Sequence, residues 1–175
     1  MKQGGLVITV AVFCLLAFFL SSCRADSLPG FVAGQLAAGE KAVRIKHLER
    51  ADVPAVYVLS DSGNTPVKML LVCETEGYND LIRLCVALDL QEQKILSVSI
   101  LEHQESDNYG AYAAEEWFLA RFAGKPAAKD LQVVKMAAKN REDIVAVTGA
   151  TVTSAAVVSG VNRALAVCRE YGRGE

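Results

Sequence analysis

Between residues 53 and 102 the chain repeats one pattern: a β-branched or aromatic run, a short polar break, then another such run. Residues 53–60 lead into Asp61-Ser62-Gly63-Asn64, a strong turn signal, and residues 67–74 follow. That arrangement predicts a hairpin. Residues 81–90 and 94–102, joined by the polar residues 91–93, extend it into an antiparallel meander. Later segments change character. Residues 111–123 fit a helix ended by Gly124, Lys125 and Pro126, residues 131–134 and 142–148 fit short strands, and a helix closes the chain. Strands first and helices later predict an α+β fold, a single twisted and largely antiparallel sheet packed with helices. A short charged helix is expected over residues 40–50, inside a linker covering residues 24–54, so that the folded domain would span 55–172.

The last strand-to-helix passage carries the strongest chemical signal. Thr148-Gly149-Ala150-Thr151-Val152-Thr153-Ser154 separates the β-branched run that begins at Ile144 from a segment in which Val157, Val161, Leu165 and Cys168 recur at helical spacing. Gly172 offers a position at which that helix could stop. Thr151, Thr153 and Ser154 therefore fall at or just before a helix N-terminus. Unpaired amides and the positive end of the helix dipole favour an anion there, and Gly149 with Ala150 admits a bulky group close to the main chain. Thr and Ser are also ordinary N-caps, and small residues make tight turns for purely structural reasons.

Composition removes several alternatives. The net charge of −2 and the lack of a Lys/Arg cluster argue against nucleic acid as a partner. With only two histidines, His47 and His103, and no CxxC or CxxCH, haem, iron–sulfur and structural zinc sites are poorly supplied. Any electron carrier here has to be organic.

The N-terminus reads as a targeting segment. Lys2 precedes an apolar run over residues 6–20, which ends in Leu20-Ser21-Ser22-Cys23 and Arg24. Residues 1–23 are either an uncleaved signal anchor or a signal peptide with a bacterial lipobox, in which case Cys23 would be lipidated. Both place the rest of the chain outside the cytoplasm at the inner membrane, on the periplasmic side. Among the other cysteines, Cys73 and Cys85 are equidistant from residue 79, so a hairpin turning there would set them opposite each other in a compartment that permits a disulfide. The preferred reading is that Cys73, Cys85 and Cys168 are small buried hydrophobes.

The wording of the terminal motif resembles the flavinylation signature of the FMN-binding domain family, which includes the G subunit of the Rnf electron transport complex and the C subunit of the sodium-translocating NADH:quinone reductase. The resemblance implies that a flavin transferase joins FMN through its phosphate to the hydroxyl of the last Thr, here Thr153. It implies a phosphate pocket shaped by Gly149, Ala150, Thr151 and Ser154, with Thr148 also among the cofactor-binding residues. A second stretch, His103-Gln104-Glu105-Ser106-Asp107-Asn108-Tyr109-Gly110, resembles the family's His-x-Glu-Thr-Pro-Gly-x-Gly run, with Trp117 and Phe122 on the following helix. His103, Glu105, Tyr109, Gly110 and Trp117 would then lie beside the flavin ring, although a strand end spilling into a solvated loop, or a core Trp, explains the same residues without a ligand. Glu76-Gly77-Tyr78 is similar to the family's Gly-Tyr element. Ser106, Asp107 and Asn108 depart from the family's Thr, Pro and Gly, and the stiffness of the proline is lost.

What the resemblance implies is a membrane-attached electron-transfer subunit with covalent FMN, working with other membrane subunits of an Rnf-type ion-translocating oxidoreductase and turning over no substrate alone. A free-standing exported FMN-binding lipoprotein or reductase subunit is the alternative, favoured by a lipidated Cys23. A non-redox lipoprotein is the third.

Overall fold

The computed structural model describes residues 28–174. The expected anchor over residues 1–23, with Cys14 and the lipidation candidate Cys23, lies outside the described residues. These fall into two units, the first ending at Ala33 and the second beginning at Gly34. In the first, a single helical turn, α1, covers Gly30–Ala33.

The second unit is built on a five-stranded antiparallel sheet in sequence order: β1 (Lys41–Arg44), β2 (Ala55–Ser60), β3 (Pro66–Glu76), β4 (Leu81–Asp89) and β5 (Lys94–Glu102). The Asp61 carboxylate accepts from the amides of Gly63 and Thr65, and Asn64 takes a left-handed φ of 61°, so the β2–β3 turn forms where the polar cluster stands. The expected α+β architecture is present. Beside the main sheet, β6 (Gln132–Val134) and β7 (Asp143–Val145) form a small parallel pair.

One helix makes the core. α3 (Thr151–Arg173) buries Val157, Val161, Ala164, Leu165 and Cys168 against the sheet face that carries Val56, Met69, Leu71, Cys73, Leu84 and Val86. Each Val, Leu or Met side chain among these contributes about 1.5–3 kcal/mol when fully buried. α3 is long and apolar enough to cross a membrane, yet its apolar side is spent on this packing, so it is the core helix of the domain rather than an anchor. Gly160 marks the closest approach, because a Cβ there would stand 2.6 Å from Leu84 Cδ2. The helix ends at Gly174, with φ of 74°, two residues beyond the expected Gly172.

Three local expectations change. Residues 40–50 hold strand β1 and a 3₁₀ turn (Lys46–Leu48) instead of a helix, since β1 gains a ladder against β2 from Lys41↔Ser60 to Arg44↔Tyr57. Part of the presumed linker thus belongs to the sheet. Residues 111–123 form three short pieces, 3₁₀ Gly110–Ala114, α2 (Glu116–Leu119) and 3₁₀ Ala120–Phe122, which bury Phe118 and Phe122 edge to face at 5.7 Å. Finally, the hairpin does not turn about residue 79. Cys73 pairs with Leu84 and Val72 with Cys85, one residue off the expected register. A shift of one sends neighbouring side chains to opposite faces, so Cys73 and Cys85 cannot be bridged, and Cys73, Cys85 and Cys168 are free and buried. Burial pushes the Cys73 and Cys85 thiols up to about 12.

These three thiols should resist alkylation at pH 8 in the native protein and react once it is denatured without reductant, as counted by intact mass. Gly160→Val should destabilise the domain by about 1–3 kcal/mol through overpacking on Leu84, read as a lower denaturation midpoint with an unchanged slope.

Candidate cofactor site at the start of the core helix

The site begins with the passage from β7 into α3. Asp143 accepts from the amides of Lys139 and Asn140, contacts that hold its carboxyl below the ordinary carboxylate range and fix the chain where β7 starts. After β7, Ala150 N donates to Val147 O at 3.0 Å, and Gly149 adopts φ of 83°, a conformation natural to glycine. α3 then begins without a side-chain N-cap. Ser154 N is the first amide to bond back along the helix, to Ala150 O at 2.9 Å, which leaves the amides of Thr151, Val152 and Thr153 outside the intrahelical ladder.

The two hydroxyls in this first turn do different things. Ser154 Oγ accepts from Val147 N at 3.0 Å and is fully buried, so it locks the turn from inside and does not shape a phosphate pocket as the sequence suggested. Thr153 Oγ1 donates to Glu105 Oε2 at 2.5 Å. The other oxygen of Glu105 accepts from Tyr78 N and Asn79 N, both at 2.9 Å. One buried carboxylate thereby ties the β3–β4 turn, the loop after β5 and the start of α3 into one point. Hydrogen bonds to a charged group contribute about 1.5–3 kcal/mol each.

Two glycines make room for this carboxylate. A Cβ at Gly77 would overlap Glu105 Oε1, and one at Gly110 would come to 2.6 Å from Glu105 Oε2 and 3.0 Å from Thr153 Oγ1. The loop is braced by Asn79 Nδ2, which donates to Gln104 O and Ser106 Oγ, and His103 Nδ1 accepts from Glu105 N.

In front of Thr153 lies a cavity of about 420 Å³, lined by Tyr78, Glu105, Ser106, Tyr109, Gly110, Gly149, Ala150, Thr151, Val152 and Thr153. Its volume falls in the range of small-molecule sites, about 300–1,000 Å³. Tyr78, Tyr109 and Val152 are exposed at its rim, and the Tyr109 ring lies over Gly149. Behind Thr153 the packing closes against Ile82, Ala113 and Val157. A larger, shallow groove with Asp52, Glu74, Glu76 and Arg163 shares Val152 but does not contain Thr153.

The structure therefore gathers Thr153, Gly149, Ala150, Thr151, Glu105, Tyr109 and Gly110 around one cavity. His103 stands behind it. Thr148 is exposed and does not line it, and Trp117 is half exposed with the Arg121 guanidinium 4.9 Å from its ring, neither core nor cavity wall. Sequence reasoning missed the Tyr78 and Asn79 amides and the brace from Asn79. The signal was the Gly77-Tyr78-Asn79-Asp80 turn, which Gly77 N closes by donating to Asp80 O at 2.9 Å.

Ser154→Ala should cost about 1–3 kcal/mol, because Val147 N would be left buried without its acceptor. Equilibrium denaturation measures this.

Comparison with known proteins agrees with the geometry. The chain is 35% identical over 109 residues to the G subunit of the proton-translocating ferredoxin:NAD(+) oxidoreductase complex of Clostridium ljungdahlii, covering 62% of this chain and 57% of that protein. It is 32% identical over 119 residues to the G subunit of the Na(+)-translocating ferredoxin:NAD(+) oxidoreductase complex of Acetobacterium woodii, covering 67% and 56%. The chain thus spans a little over half the length of these curated relatives. In fold it is similar to Shewanella oneidensis NqrC (TM-score 0.54, 21% identity, 65% of this chain and 56% of that one). It is also similar to the C subunit of the Na(+)-translocating NADH-quinone reductase of Parabacteroides distasonis (TM-score 0.57, 16% identity, 73% and 77%). The FMN-binding domain family matches residues 77–166, just over half of the 175 residues, from the β3–β4 turn into the Thr153 helix. By that match, the chain belongs to the FMN-binding domain family.

Proposed function

We propose that this chain is an electron-transfer subunit of an Rnf-type ion-translocating oxidoreductase, carrying FMN joined through its phosphate to Thr153. The observation that carries the reading is the Thr153 hydroxyl, which sits in the first turn of α3 on the wall of a cavity of suitable size, beside amides that have no helical acceptor. FMN when bound exchanges one or two electrons and so links partners of either kind. The amides of Thr151, Val152 and Thr153 would face its phosphate, Gly149 and Gly110 would give the backbone clearance, and the exposed Tyr78 and Tyr109 would offer aromatic faces to the ring.

The chemistry of the lining supports a covalent bond over reversible binding. No Lys or Arg lines the cavity, and Glu105 puts a carboxylate in it. A free phosphate monoester would meet one negative charge and no side-chain cation, whereas a diester to Thr153 carries a single charge and cannot dissociate. Outside the cytoplasm, where free FMN is scarce, a dissociable cofactor would also be lost by mass action.

The relatives' place in ion-translocating complexes supports partners of the same kind, membrane subunits of an electron transport complex, with a flavin transferase needed for maturation. The N-terminal apolar segment supports attachment to the cytoplasmic membrane with the domain on the outer, periplasmic side. The Leu20-Ser21-Ser22-Cys23 stretch favours a second reading, a free-standing FMN-binding lipoprotein. Co-purification of polytopic subunits with the tagged chain supports the first, and a lipidated Cys23 without such subunits supports the second.

Expressed with a flavin transferase, the wild-type chain should give a band that fluoresces under ultraviolet light on a denaturing gel. Thr153→Ala should abolish the band, and a variant that stays fluorescent would refute the attachment site.

A further inference from the structure

We propose that Glu105 is the proton acceptor for attachment of the flavin to Thr153, and that it keeps that proton in the mature protein. The inference rests on the covalent reading of Thr153 given above. Its starting point is that the Thr153 hydroxyl already donates to Glu105 Oε2 at 2.5 Å before any modification. A threonine hydroxyl is a weak nucleophile at neutral pH, and a positioned carboxylate in hydrogen-bond contact is the arrangement that activates it.

The carboxylate is held for this task. Oε1 is fixed by the amides of Tyr78 and Asn79, so Oε2 has one orientation, and it is aimed at Thr153. Gly110 leaves both atoms uncovered by any Cβ, and Gly77 gives the same clearance to Oε1. Among the described residues no Lys, Arg or His lines the cavity, Glu105 is its one carboxylate, and the phenols of the two tyrosines stand at the exposed rim.

The Thr153 Oγ1–H bond breaks and its proton passes to Glu105 Oε2. Oγ1 bonds to the flavin-side phosphorus of FAD, the pyrophosphate P–O bond breaks, and AMP leaves with that electron pair. Nothing is oxidised or reduced. In the product Oγ1 is an ester oxygen with no proton to give. An ionised Glu105 would then face a second acceptor at hydrogen-bond distance and the charge of the diester, both unfavourable in a buried site. With the transferred proton retained, Oε2 becomes a donor toward the diester, and the same contact persists with its direction reversed.

The test uses the purified full-length chain, a flavin transferase and FAD, with intact mass followed over time. Glu105→Gln keeps an oxygen for the Tyr78 and Asn79 amides but cannot take the proton. At saturating acceptor its modification rate should fall by about 10²-fold or more, while the acceptor concentration giving half the maximal rate stays within about twofold. An unchanged rate, or a loss confined to the half-saturating concentration, overturns the proposal, the latter because Glu105 would then only shape the docking surface. Failure of the wild-type chain itself to gain mass would instead overturn the covalent reading, so the two failures are distinct. Should Glu105→Gln not fold, the wild type decides. An infrared difference spectrum between unmodified and flavinylated protein should show a protonated carboxyl band that shifts with ¹³C-labelled glutamate, and its absence overturns the proposal.

Discussion

The site depends on a single buried carboxylate. Glu105 accepts from Thr153 Oγ1 with one oxygen and from the Tyr78 and Asn79 amides with the other, so three segments far apart in sequence meet within hydrogen-bond distance of its two oxygens. A carboxylate 6% exposed would be costly if any of these donors were missing. The carboxylate comes from the loop after β5, and its donors come from the tight β3–β4 turn and the first turn of α3. The glycines at 77 and 110 are what let those parts close in around it.

Where that first turn lies is decided elsewhere, in the core. α3 is laid on β3 and β4, with Gly160 over Leu84 and Val157, Val161 and Leu165 buried along its length. Ser154 then ties the helix start to Val147, and Arg163 reaches the main chain at Glu74. A 23-residue helix locked at several points along the sheet presents its N-terminal amides to a fixed place. This rigidity suits the proposed role of holding a flavin at a set position, since positioning residues mounted on packed elements move less than those on loops. The exposed part of the site, Tyr78 and Tyr109, stands on the two loops that the Glu105 carboxylate holds together.

Much of this was readable from local pattern. The meander followed from alternating runs and the Asp61–Asn64 turn, because both depend on chemistry within a few residues. The Thr148–Ser154 passage was likewise visible, since a small-residue turn before a periodic apolar run announces a helix start. What misled was any inference that needed a partner. Residues 40–50 carry enough charge to suggest a helix, but the open edge of β2 captured four of them as β1. Cys73 and Cys85 looked opposed by counting from residue 79, yet the Gly77–Asp80 turn centred the hairpin half a residue earlier and sent them to opposite faces. Thr153 and Ser154, expected to serve the same site as attachment point and pocket wall, face opposite surroundings.

The sequence by itself determined the strand succession, the place where the core helix begins, and the hydroxyl at its foot, because turn chemistry, periodicity and capping are properties of short stretches. Only the tertiary structure decided which hydroxyl faces the cavity and which faces inward, and that Glu105, separated from Thr153 by most of the second half of the domain, is its partner. The physical reason is that a hydrogen bond between distant segments exists only once a sheet register and a helix packing have been chosen, and no local pattern records that choice.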